Sequence, residues 1–127
     1  MPTNSRKNDD QVAAFFIDRP EAYNLFKMVF DVIKSLGEVS VRVSKSQISF
    51  SRCRGFAWAW TPDRWLKGGV APLVVSIALP KKNGSMRWKQ VVQPRAGRWM
   101  HHLEIRSTDD IDAEVAAWLR EAWEDAH

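Results

Sequence analysis

Residues 36–60 read LGEVSVRVSKSQISFSRCRGFAWAW, and the spacing of apolar side chains changes inside this stretch. Before it, Tyr23, Leu25, Phe26, Val29, Phe30, Ile33 and Leu36 recur every three or four residues, the stripe of a helix with one buried side. After Gly37 the interval drops to two. Val39, Val41 and Val43 alternate with Ser40, Arg42 and Ser44; Ile48 and Phe50 alternate with Gln47, Ser49 and Ser51; Phe56, Trp58 and Trp60 alternate with Ala57 and Ala59. A period of two belongs to strands, whose successive side chains point to opposite faces.

Working toward the N-terminus, Pro20 suits the first turn of the long helix, and Gly37 suits its end. Val12, Ala13, Phe15 and Phe16 predict a short preceding helix. Arg19-Pro20 ends it, because a residue before proline avoids helical angles. Residues 1–8 are expected to form a frayed terminus. Toward the C-terminus, the apolar run Leu73 to Leu79 predicts a strand covered on both sides. Arg87 to Gln93 and Trp99 to Arg106 predict two more strands. The short links at Lys45-Ser46, Arg52 to Gly55, Lys81 to Gly84 and Pro94 to Gly97 imply antiparallel neighbours. A longer connection from Thr61 to Gly69 carries Trp65 and Leu66. From Ser107 or Thr108 to about Ala126, Ile111, Val115, Trp118, Leu119, Ala122 and Trp123 make the apolar face of a closing helix. The expectation is one α+β domain over residues 1–127. It has two layers: an antiparallel meander of five or six strands, with two N-terminal helices and one C-terminal helix on one face.

Charge is unevenly distributed. Residues 37–106 hold thirteen basic residues against Glu38, Asp63 and Glu104, a net of +10, whereas residues 107–127 hold Arg120 against seven acids. This basic body bears on partners more than on fold. A single cysteine, Cys53, rules out an intrachain disulfide. The start, MPTNSRKNDDQ, has no apolar run after a basic opening, and no segment reaches the ~18 apolar residues of a membrane span. A cytoplasmic protein without a membrane partner is expected.

The segment RWMHHLEIRSTDD, residues 98–110, holds the ingredients of a metal or acid–base site. The aspartates are accounted for as caps and first-turn acids of the closing helix. Adjacent residues of a strand face opposite ways, so His101 and His102 do not share an ion unless a bulge intervenes. His101 falls with Trp99, Leu103 and Ile105 on an apolar side, as a core histidine bonded to a backbone carbonyl or a neighbouring indole. His102 and Glu104 fall together on the polar side, close enough to hydrogen-bond. That is the geometry of a base and its orienter, and also of an exposed pair. Neither a nucleophile nor a third metal ligand is evident, and no metal or cofactor is expected.

FAWAW poses the same question of faces. Turned toward the helices, Phe56, Trp58 and Trp60 are core; on an open sheet they are stacking platforms for bases. The neighbouring strands bury valine, isoleucine and phenylalanine with the same alternation, which favours core. Ser49, Ser51, Ala57, Ala59, Ser76 and Ala78 then floor the other face, rimmed by Arg42, Lys89, His102 and Glu104. The cations Lys45, Arg52, Arg54, Lys81, Lys82, Arg87, Arg95 and Arg98 are expected to scatter over turns and strand ends; clustered at one edge they would attract phosphate. Cys53, between two arginines, is read as an incidental surface thiol. No Gly-rich phosphate loop, zinc-helix motif or nucleophile elbow is present.

AFFIDRPEAYNLF (14–26), VSKSQISF (43–50), RGFAWAWTP (54–62), PLVVSIALP (72–80), GRWMHHLEIRSTDDID (97–112) and AAWLREAW (116–123) together resemble a bacterial family of domains of unknown function. Some of its members carry the label "predicted transport protein". The resemblance runs from about Ala13 to Ala122. It implies a small α+β domain and brings no assigned site.

Two functions of different class follow as expectations. The first is a binding module whose basic, small-residue sheet face takes an anionic small molecule or nucleic acid, through Arg42, Lys45, Lys89, Arg98, His101, His102 and Glu104. The second is an enzyme using His102 with Glu104 as acid and base. Either is compatible with a monomer or a homodimer.

Overall fold

The computed structural model describes residues 2–64 and 68–127, so Trp65 and Leu66 lie outside the described residues. Helix α1 spans Pro2–Phe15, so residues 2–8 of the stretch expected to fray are helical. Asp18, with φ 64°, turns the chain into helix α2, Pro20–Leu36, which opens on its proline. The stripe read from the sequence is the buried one: Leu25, Phe26, Val29, Ile33 and Leu36 all enter the core. Gly37 ends the helix at φ 143°, and a Cβ there would lie 2.7 Å from the Trp123 ring. Glycine is needed twice over, for the backbone angle and for the space the indole fills.

Six strands follow among the described residues: β1 Ser40–Val43, β2 Ile48–Ser51, β3 Gly55–Trp60, β4 Leu73–Leu79, β5 Gln90–Arg95 and β6 Arg98–Ile105. They form one open antiparallel sheet in the order β1-β2-β3-β4-β6-β5. Helix α3, Ala113–Asp125, packs on β3 and β4 beside α2. The α+β architecture read from the sequence is the observed one. The aspartates act as caps: the Asp110 carboxylate accepts the backbone N–H groups of Arg106 (2.8 Å) and Ser107 (3.2 Å), and Asp112 accepts that of Val115 (3.1 Å) at the start of α3.

The simple meander needs one correction. Lys81 to Gly84 is not a hairpin; β4 pairs with β6, and β5 lies outside β6. The segment between β4 and β5 is pinned to the core instead of reversing. The Asn83 backbone N–H donates to His101 Nε2 at 2.9 Å, and the Trp88 indole donates to the Asn83 amide oxygen at 3.0 Å. The Trp88 ring lies 4.8 Å from that of His101 and 4.2 Å from that of Trp118 on α3. An indole wedged between a strand and a helix carries the chain along the sheet. The last hairpin turns at Ala96-Gly97, with Arg95 facing Arg98.

A second correction concerns β3. Phe56 is core, as expected, but Ala57 and Ala59 are also core, both fully buried, while Trp58 and Trp60 lie on the open face. The register explains it. Phe50 faces Ala57 whereas Ser51 faces Gly55, so Phe56 is an extra residue, a β-bulge. One inserted residue reverses the faces of all that follow it in the strand.

Candidate functional site

The registers of the five strand pairs place Arg42, Ser49, Trp58, Ser76, His102 and Gln90 in one cross-sheet row on the face away from the helices. On this face Trp58, Trp60, Ser76, Met100 and His102, with Ser46 and Gln47 from the β1–β2 turn, line a cleft of about 510 Å³. Trp58 sits where it does because Gly55 lacks a side chain; a Cβ there would stand 2.8 Å from the ring. The Arg98 guanidinium covers part of the same indole, 5.7 Å from its centroid, and donates to the Gly55 carbonyl at 3.0 Å.

The floor of the cleft is a hydrogen-bonded chain. The Trp60 indole N–H donates to Ser76 Oγ at 3.1 Å, and Ser76 Oγ lies 2.7 Å from His102 Nδ1. Ser76 is only 4% exposed, so its proton needs an acceptor within the protein. The arrangement that satisfies every atom has Ser76 donating to Nδ1, which leaves the His102 proton on Nε2. Among the described residues nothing bonds Nε2. Burial, and behind it the charge of His101, holds the His102 pKa below its ordinary value of 6.5. His102 is therefore a neutral ring that offers one N–H donor to the cleft.

The residues singled out in the sequence separate into three groups. His102 and Arg98 are at the cleft, and exposed Arg42 stands on the same face two strands from Trp58. Glu104 is also on this face, but its carboxylate is held by Lys89 (3.2 Å) and Arg106 (3.4 Å). The expected bond between His102 and Glu104 is not made; Ser76 takes its place. Lys45 lies in a separate hollow with Phe15 of α1 and Val43. His101 is on the helix side, with no exposed surface. Its Nε2 accepts from Asn83, so Nδ1 carries the proton and faces the carbonyls of Trp99 (3.1 Å) and Ile77 (3.3 Å). The twin imidazoles are thus split between core and cleft.

The expected scatter of cations is not what the registers give. Ser51 faces Gly55, Leu79 faces Trp99 and Arg95 faces Arg98, so one end of the sheet gathers Arg52, Arg54, Lys81, Lys82, Arg95 and Arg98. Arg54 pairs with Asp125 at 2.9 Å, and Arg52 lies over the Trp123 ring at 3.8 Å. Among the described residues Lys81, Lys82, Arg95 and Arg98 have no carboxylate partner. Burial first, then the nearby charges of Arg95 and Arg54, lowers the Arg98 pKa, and the charge of Asp125 partly offsets them. Elsewhere Arg87 meets Asp112 and Glu114, and Lys89 meets Glu104, whereas among the described residues Arg42 and Lys45, toward the opposite end, have no carboxylate partner.

Sequence reasoning weighed Trp58 and Trp60 as stacking platforms but assigned them to the core, and it did not single out Ser46, Gln47 or Met100, which also line the cleft. The signal for the two tryptophans was weak: a glycine at position 55 beside a tight turn, with nothing to say on which side of it the extra residue falls. Among the described residues no group of three or more His, Cys, Asp or Glu side chains is placed to hold a metal ion.

Fold and cleft together define a small α+β domain with helices on one face of its sheet and an aromatic cleft on the other. The chain belongs to the family described as "Domain of unknown function (DUF5655)", whose model matches residues 12–126. No curated protein and no solved structure matches it. Among the described residues no helix is long and apolar enough to cross a membrane.

Proposed function

We propose that the protein is a cytoplasmic binding module that holds an anionic ligand against the open face of its sheet. One observation carries this reading: Lys81, Lys82, Arg95 and Arg98, which among the described residues have no carboxylate partner, stand at one end of the sheet, and Arg98 reaches from there to cover part of Trp58 at the near edge of the cleft. Holding like charges close together is unfavourable, and an arriving anion relieves it while releasing counterions. The cleft supplies shape and an N–H donor; the sheet end supplies charge. Catalysis has less support. Ser76 is nearly buried, and among the described residues no carboxylate stands by to stabilise a protonated His102.

Retention on immobilised heparin at low salt tests the charge. The protein is expected to elute later than a control protein of equal net charge, and the triple variant Lys81→Gln/Lys82→Gln/Arg95→Gln to elute with the control. Equal retention of wild type and control would remove the reading.

A further inference from the structure

Resting on that reading of the open face, we propose that the ligand is single-stranded nucleic acid, with its bases on Trp58 and Trp60 and its phosphates along the basic end of the sheet. Three observations point there together. First, the cleft and the cations are chemically different and adjoin, since Arg98 touches both: it covers part of Trp58 and faces Arg95 across the last hairpin. A sugar would use the indoles and leave the cations idle, and an acidic peptide would do the reverse. A chain of flat bases joined by phosphates uses both.

Second, the spacing selects an open strand. Trp58 and Trp60 are two residues apart on one strand, about 6.8 Å, which is roughly twice the ~3.4 Å rise between stacked nucleotides. Side chains set at that backbone interval suit two bases that are not stacked on each other. They fit when splayed, as in single strands, and a duplex keeps its base faces hidden.

Third, the lining of the cleft carries no net charge. Ser46 and Gln47 offer donors and acceptors, and His102, neutral by burial, offers Nε2–H. This is an edge environment for a base, whereas the phosphates have their own place at the sheet end, where Arg95 faces Arg98. The fixed tautomer of His102 favours a base that presents an acceptor, such as a ring nitrogen or carbonyl oxygen.

The test is fluorescence anisotropy with a labelled ten-nucleotide single strand at low salt. Competitors are an abasic strand of equal length, the corresponding duplex and a free mononucleotide. The base-bearing strand is expected to bind at least tenfold tighter than the abasic one. Trp60→Ala is expected to weaken it by about 5- to 150-fold, the range for losing one stacked base. Trp60→Phe should restore part of that loss, and a Trp60→Ala protein with unchanged circular dichroism shows that the loss is not unfolding. Arg95→Gln should weaken the base-bearing and abasic strands alike and flatten the salt dependence by about 0.7 in log–log slope. Equal binding of both strands, or indifference to Trp60→Ala, would overturn the nucleic-acid assignment while leaving an anion-binding face. Failure of the strands and of heparin alike would end both readings. A mononucleotide competing as well, nucleotide for nucleotide, would overturn the strand in favour of a free nucleotide.

Discussion

His101 and His102 are adjacent, and pleating gives them opposite surroundings. Burial holds both pKa values below 6.5; for His101 the carbonyls of Ile77 and Trp99 and the charge of Glu121 only partly offset it. Above that pH both states carry neutral rings and the fold keeps its full stability. As the pH falls below it, the unfolded chain takes up protons before the folded one, so stability is lost on acidification. His101 alone contributes a slope of at most ~1.4 kcal/mol per pH unit in this window. Urea midpoints are therefore expected to fall between pH 7 and pH 5. In His101→Gln, which keeps a donor and an acceptor without the titration, they should fall less. An equally steep fall in the variant would mean that His101 is not the neutral core ring bonded to Asn83.

At the scale of the element, β3 shows where the sequence was legible and where it was not. Alternation identified the strand, its neighbours and the buried Phe56, because a half-buried strand writes its period into its side chains. It could not locate a bulge, which adds one residue without altering the alternation after it. Both faces of FAWAW look apolar, so composition did not reveal the reversal. The same limit hid the crossover to β5: Lys81 to Gly84 has the chemistry of a turn, and only Trp88 and Asn83, tied to His101, make it a passage. By contrast the buried side of α2 was legible, since one apolar stripe admits one buried side; Tyr23 and Phe30 lie at its partly buried edge, and Ala22 joins it. The phase of β3 is open to a direct comparison. Ala59→Asp places a carboxylate in the dry core and is expected to cost several kcal/mol, enough to leave much of the chain unfolded. Trp60→Asp faces the cleft and should remain folded at the same temperature by circular dichroism. The opposite order would restore the unbulged register.

For the whole molecule, the division of labour is between two faces of one sheet. The helices cover one face and share the core about equally with the strands; the other face is left to side chains of the sheet itself. Net charge of the middle segment was readable as a sum, but its concentration depended on strand order and register, which no count of residues contains. Arg52, Arg54, Lys81, Lys82, Arg95 and Arg98 gather at one sheet end, while Arg87 and Lys89 elsewhere are paired with acids. The family model covers residues 12–126, and the cleft falls wholly within that stretch.

The most direct measurement is hydroxyl-radical footprinting of the indoles, read by mass spectrometry, with and without a single-stranded oligonucleotide. In the free protein Trp58 and Trp60 are expected to be oxidised faster than buried Trp88 and Trp118, and to be protected when the strand is added. Protection of Trp58 and Trp60 in the free protein would contradict the bulged register, and oxidation unchanged by the strand would contradict the use of this face.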